Sequence, residues 1–101
     1  MRLAWTDRAP ARVRETARYI AADDPAAAMR WASELFDLIE RLTEFPESGR
    51  LVPELKRRGV RELVYGAYRV FYRVDAAAVL ILTVRHARQL IREDEVAEGR
   101  T

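Results

Sequence analysis

The chain has no cysteine and, in 101 residues, only one histidine, four glycines and four prolines. Without cysteine there is no disulfide framework and no thiolate metal site, and one imidazole cannot build a protein-only zinc centre. The glycines are scattered, so no Gly-rich loop cradles a phosphate. The longest apolar run, Ala76 to Val84 interrupted only by Thr83, is far too short to span a bilayer. The opening residues, Met1-Arg2-Leu3-Ala4-Trp5-Thr6-Asp7-Arg8, lack the apolar core of an export signal. A cytoplasmic protein with no membrane partner, no cofactor and no metal is expected. Asp23-Asp24 and Glu93-Asp94-Glu95 read as a helix cap and an exposed tail rather than as metal ligands.

Half of the residues are apolar and 34% are charged, the balance of one globular domain. The net charge of +2 conceals an asymmetry. Residues 1–49 carry seven Arg against nine acids, residues 50–92 carry ten Arg and Lys against three acids, and the last nine residues carry one Arg against four acids. Positive charge is therefore concentrated in the second half. All but one of the cations are Arg, whose planar fork suits phosphates and carboxylates.

Leu3 and Trp5 alternate with Arg2 and Ala4, the pattern of a short strand. Thr6 is placed to cap a following helix, whose inward positions Ala9, Val13, Thr16, Ala17 and Ile20 recur at steps of three and four. Ala22-Asp23-Asp24-Pro25 breaks it, and Asp24-Pro25 fits the cap and first position of a second helix. That helix centres on Ala28, Ala32, Leu35, Ile39 and Leu42, flanked by Trp31 and Leu38 on one side and Met29 and Phe36 on the other. So short a connection makes a helical hairpin. Phe45-Pro46-Glu47-Ser48-Gly49-Arg50 opens a loop running to about Gly59, and three β runs follow over Val60–Tyr65, Tyr68–Val74 and Val79–Arg85. Gly66-Ala67 is a tight turn and Asp75-Ala76-Ala77-Ala78 a looser one. The middle run points Tyr68, Val70, Tyr72 and Val74 one way and Arg69, Phe71 and Arg73 the other, while the last is apolar on both faces, as an interior strand is. The expected fold is α+β: an N-terminal strand, a helical hairpin and a three-stranded antiparallel meander, forming one domain over 1–92 with a short acidic tail at 93–101.

This order, strand-helix-helix-strand-strand-strand, resembles the ParE/RelE toxin superfamily of type II toxin–antitoxin systems. Local strings are similar to that family too: Tyr19 through Ala28, Leu42 through Phe45-Pro46 to Gly49-Arg50, Val60-Arg61-Glu62-Leu63-Val64, Tyr68 through Val74, and Leu82-Thr83-Val84-Arg85-His86-Ala87-Arg88. The resemblance covers nearly the whole chain to about Arg92. It implies a toxin neutralised by an antitoxin that wraps it, in a hetero-oligomer that meets operator DNA only through the antitoxin. RelE-like members cut mRNA in the ribosome, whereas ParE-like members poison DNA gyrase.

RNA cleavage needs a base, an acid and a cradle for phosphate charge. The resemblance places a phosphate-binding Arg at Arg69, with Arg73 on the same face and His86 as the candidate proton carrier. RelE-like nucleases also carry a second Arg after the last strand, here near Ala87 or Arg88, and then a Tyr or His, here near Arg92-Glu93. No Tyr or His follows His86. The pattern therefore fits the ParE-like branch better, without a catalytic set. On that reading Arg61, Arg69, Arg73, Arg85 and Arg88, with Arg57 and Arg58, form a basic surface for DNA or an acidic protein. Antitoxin contacts are expected at Trp31, Leu35, Phe36 and Leu38 of the second helix and at Phe71 on the outer face of the sheet, with ordinary core packing the competing role for each.

Overall fold

The computed structural model describes residues 1–89 and Val96, leaving aside the side chains of Lys56 and Arg57. Strand β1 (Arg2–Trp5) leads into helices α1 (Arg8–Ala21) and α2 (Pro25–Glu40), then β2 (Arg50–Leu51), β3 (Val60–Tyr65), β4 (Tyr68–Val74) and β5 (Ala78–His86). The five strands form one sheet in the order β1-β5-β4-β3-β2. The β3-β4-β5 meander is antiparallel as expected, whereas β1 runs parallel to β5, with Arg2 opposite Ala78 and Trp5 opposite Ile81. Two elements were not legible as structure: the two-residue β2, which pairs with β3, and a 3₁₀ segment, Pro53–Arg58, inside the stretch read as loop.

The caps behave as their chemistry requires. The Asp24 carboxylate accepts the Ala27 N–H at 3.1 Å, with Pro25 opening α2. The Thr6 hydroxyl accepts the Ala9 N–H at 3.3 Å and itself donates to the Leu82 carbonyl at 2.7 Å. Register shifts between Phe71, opposite Thr83, and Tyr72, opposite Ile81, so Leu82 has no partner residue on β4. Its carbonyl instead fixes the start of α1 to β5. In the β3-β4 turn Gly66 takes a φ of 58° and no other described residue there has a positive φ, which suits a tight hairpin whose first central residue is glycine.

Both faces of the sheet are covered. The helical hairpin lies on one face, where Val13, Trp31, Leu35, Ile39 and Leu42 meet Val70, Tyr72, Val79, Ile81 and Val84. A second, smaller cluster of Val52, Leu55, Val60, Phe71, Leu82 and Val96 covers the other. Val96, inside the stretch read as an acidic tail, is fully buried there, and the rest of that tail lies outside the described residues. Among the described residues no helix is long and apolar enough to cross a membrane.

The Phe45-Pro46 to Gly49-Arg50 string ties the loop after α2 to the sheet. The Gly49 N–H donates to the Tyr72 hydroxyl at 2.8 Å, and the Arg61 guanidinium donates to the Gly49 carbonyl at 2.8 Å. A Cβ on Gly49 would lie 2.5 Å from that hydroxyl and 2.6 Å from the Glu62 carbonyl oxygen. Gly49→Ala is therefore expected to cost about 1–3 kcal/mol in urea unfolding, an overpacking loss. A cost below about 0.5 kcal/mol would place that loop elsewhere. Burial holds the Tyr72 hydroxyl proton on above the ordinary tyrosine range, against the opposing Gly49 bond and the Arg61 charge. Because the unfolded chain ionises first, near pH ~10, Tyr72 makes stability fall as pH rises through that value and has no effect on it below. The alkaline decline should be shallower in Tyr72→Phe, and an unchanged slope would contradict the buried hydroxyl.

Candidate functional site

The basic surface predicted from the sequence is divided by the sheet. Arg69 and Arg73 of β4 project to the outer face with Phe71, away from the helices. Arg85 is directly opposite Arg69 on β5 and so shares its face. Arg61 pairs with Tyr72 and faces the helical side, where its guanidinium holds the Gly49 and Glu47 carbonyls. Arg58 and Arg73 are half-buried, Arg88 is exposed in the turn after β5, and Arg57 has no described side chain.

The feature that sequence reasoning missed is Glu62, opposite Phe71 on the outer face and only 3% exposed. Its carboxylate accepts Arg69 Nε on one oxygen and Arg50 Nε on the other, both at 2.5 Å. The Arg69 guanidinium also lies 4.6 Å from the centroid of the Phe71 ring. A buried carboxylate is tolerable only when paired and hydrogen-bonded, and two guanidiniums meet that need. Arg69 is thus a structural partner of Glu62 rather than a solvated cation. The signal was readable: Glu62 is the one acid in the strand run 60–74.

His86 lies opposite Tyr68 and so on the helical side of the sheet, not with Arg69 and Arg73. Its ring meets that of Tyr68 edge-on at 5.4 Å, and Tyr68 in turn meets Trp31 at 5.3 Å. His86 Nδ1 accepts the Arg88 N–H at 3.2 Å, so the proton of the neutral ring sits on Nε2. The ring borders a cleft of about 410 Å³ between α1 and the ends of β4 and β5, shared with Arg12, Glu15, Tyr19, Tyr68 and Gln89. Among the described residues no group of acids and histidine is placed to hold a metal ion.

The antitoxin candidates separate by burial. Leu35 and Phe71 are fully buried and Trp31 is 8% exposed, all within the two cores. Phe71 was expected on the outer face, as antitoxin contact or as core, and Pro53–Arg58 and Val96 bring apolar cover to that face. Leu38 is half-buried beside Tyr65, and Phe36 is 45% exposed. The Phe36 ring lies 5.7 Å from that of Trp5, and together they border an apolar groove of about 500 Å³ along α1 and α2, with Val13, Ala17 and Ala32.

Comparison with known proteins agrees with this architecture. Residues 3–91 match the family model for the ParE toxin of the type II toxin–antitoxin system, parDE. The chain is 40% identical over 90 residues to Y4kP of Sinorhizobium fredii, a protein described as a toxin, covering 87% of this chain and 90% of that one. It is 36% identical over 88 residues to Toxin RelE2 of Caulobacter vibrioides, covering 87% of this chain and 97% of the relative. A solved structure of the chromosomal ParDE system from P. aeruginosa superposes with a TM-score of 0.70 at 22% identity, over 87% of this chain and 97% of that chain. The chain belongs to the ParE toxin family and is a toxin of the type II toxin–antitoxin class.

The two partners of Glu62 should differ sharply. Arg69 has a side chain only 16% exposed, so Arg69→Ala leaves the buried carboxylate to the solvent-exposed Arg50 and should cost about 1.5–3 kcal/mol. Arg50 has a side chain 64% exposed, and Arg50→Ala should cost no more than about 1 kcal/mol. Chemical denaturation of the two variants measures both, and equal costs would contradict the clamp.

Proposed function

We propose that this toxin acts by binding rather than by chemistry, holding DNA gyrase in one state and so blocking replication, and that a ParD-like antitoxin neutralises it in the cytoplasm. The observation that carries this reading is the separation of the candidate nuclease groups. Arg69 and Arg73 are on the outer face, with Arg69 engaged by Glu62, while His86 is on the other face against Tyr68. Phosphoryl chemistry needs its acid, base and phosphate cradle around one reacting phosphorus. A poison needs only to bind one state of its target more tightly than the others. The alternative, a RelE-like ribosome-dependent mRNA endonuclease, draws support from the similarity to a relative named RelE2.

The antitoxin is proposed to contact the hairpin through Phe36, with Leu38 at the margin, while Trp31, Leu35 and Phe71 act as core. Operator DNA is engaged only through the antitoxin, in a hetero-oligomer. Phe36→Ala should leave folding intact, since the ring is half in solvent, and weaken antitoxin binding about tenfold or more by calorimetric titration. Unchanged affinity would remove Phe36 from the interface.

Purified toxin should abolish supercoiling by gyrase, accumulate cleaved DNA, and leave ribosome-bound message intact. His86→Ala should change that inhibition by less than tenfold, whereas loss of a general acid or base in a nuclease costs about 10²–10⁴-fold. Cut message with unaffected gyrase would overturn the proposal in favour of the RelE-like alternative.

A further inference from the structure

Sulfur is scarce in this chain. With no cysteine, its only sulfur atoms are those of Met1 and Met29, so a two-electron oxidant meets no thiol first. Met29 lies on α2 and is 76% exposed, against 47% for Met1. It belongs to neither core, since the sheet-facing stripe of α2 is Ala28, Trp31, Leu35 and Ile39. Its surroundings on the helix are nonetheless apolar. Met29, Ala32 and Phe36 follow one another at steps of three and four and therefore share one face. Ala32 and Phe36 line the groove of about 500 Å³ together with Trp5, Val13 and Ala17, and Met29 extends that face by one turn toward the start of α2.

We infer that Met29 is an oxidation-sensitive residue of the antitoxin-binding face, and that its conversion to the sulfoxide by hydrogen peroxide weakens the toxin–antitoxin complex. The inference rests on the proposal that the antitoxin covers the hairpin at Phe36. The sulfur lone pair attacks one peroxide oxygen and the O–O bond breaks. That oxygen stays on sulfur, and the other takes up a proton and leaves as water, so sulfur loses two electrons and the peroxide gains them. The thioether is unbranched and polarizable, and it moulds to an apolar partner surface. The sulfoxide is polar, and burying its oxygen without a hydrogen-bond donor is costly. Exposure sets the direction of control. Free toxin offers the Met29 sulfur to solvent, whereas a bound antitoxin shields it. Oxidation therefore acts on toxin that has lost its antitoxin, and it hinders recapture.

The test treats purified toxin with hydrogen peroxide, removes the oxidant, and titrates the toxin with its cognate antitoxin by calorimetry. Peptide mass spectrometry reads the state of each methionine. Met29 should gain oxygen more slowly in the complex than in free toxin, and toxin carrying the Met29 sulfoxide should bind about tenfold or more weakly. Met29→Leu should bind about as tightly as the parent and keep that affinity after peroxide. Met29→Gln, polar and of similar length, should bind weakly without any oxidant. Leu and Gln are both good helix formers at an exposed position, so urea unfolding should be unchanged in both variants. The inference is overturned if the Met29 sulfoxide binds as the parent does, if Met29 oxidises equally fast in the complex, or if peroxide weakens Met29→Leu as much as the parent. Phe36→Ala separates this failure from that of the antitoxin reading. Weakened binding in Phe36→Ala with an inert Met29 sinks the inference alone, and unchanged affinity in both Phe36→Ala and oxidised toxin sinks the two together.

Discussion

Successive residues of β4 point to opposite sides of the sheet, and each side has its own cover. Val70 and Tyr72 are fixed against the helical hairpin, and Phe71 is fixed in the cluster with Val52, Leu55 and Val96 on the other side. A slip of one residue would exchange every side chain between the two cores, so both clusters enforce one register. The same alternation decides what the chain can do. It sends Arg69 and Arg73 outward and, through the pairing of Tyr68 with His86, turns the only imidazole inward. Residues adjacent in a motif are thereby kept on opposite surfaces of the sheet.

On the outer face a single buried carboxylate organises its surroundings. Glu62 collects Arg50 from the edge strand and Arg69 from the neighbouring strand, so one side chain connects β2, β3 and β4. The edge strand is only two residues long and has few backbone bonds of its own, which makes this side-chain tie and the Gly49–Tyr72 bond its main anchors. Charge that would count as a free basic surface in a tally of arginines is in part internal structure. The long-range positive character of residues 50–92 survives this, because a clamped guanidinium with one carboxylate between two cations still leaves an excess.

The helices and the meander were legible because their signals are local. Asp24-Pro25 caps a helix by its own chemistry, and period-two alternation over Tyr68–Val74 marks a strand whatever surrounds it. The parallel pairing of β1 with β5 was not legible, since it joins residues more than seventy positions apart and leaves no local mark. β2 was missed because two residues carry no period, and Pro53–Arg58 because its irregular backbone has no helical stripe. Phe71 was placed on the outer face with antitoxin contact and core packing both open, because alternation tells which residues share a face, not whether something covers that face. The burial of Val96 and Leu55 supplied what the pattern could not. Arg69, Arg73 and His86 were grouped by type, while their separation follows from cross-strand register, which becomes known only with the pairing.

The chain thus combines a family fold with a basic sheet face, an apolar groove on the hairpin and a polar cleft beside α1. Binding functions need such surfaces, and Arg69, Arg73 and His86 do not share one of them. The placement of His86 is the hinge of that conclusion. A nuclear Overhauser experiment on the isotopically labelled toxin reads it directly. The His86 ring protons should show contacts to the Tyr68 ring and to α1, and none to the side chains of Arg69 or Arg73. Contacts between His86 and those two arginines would put the imidazole on the phosphate-binding face and contradict a toxin that works by binding alone.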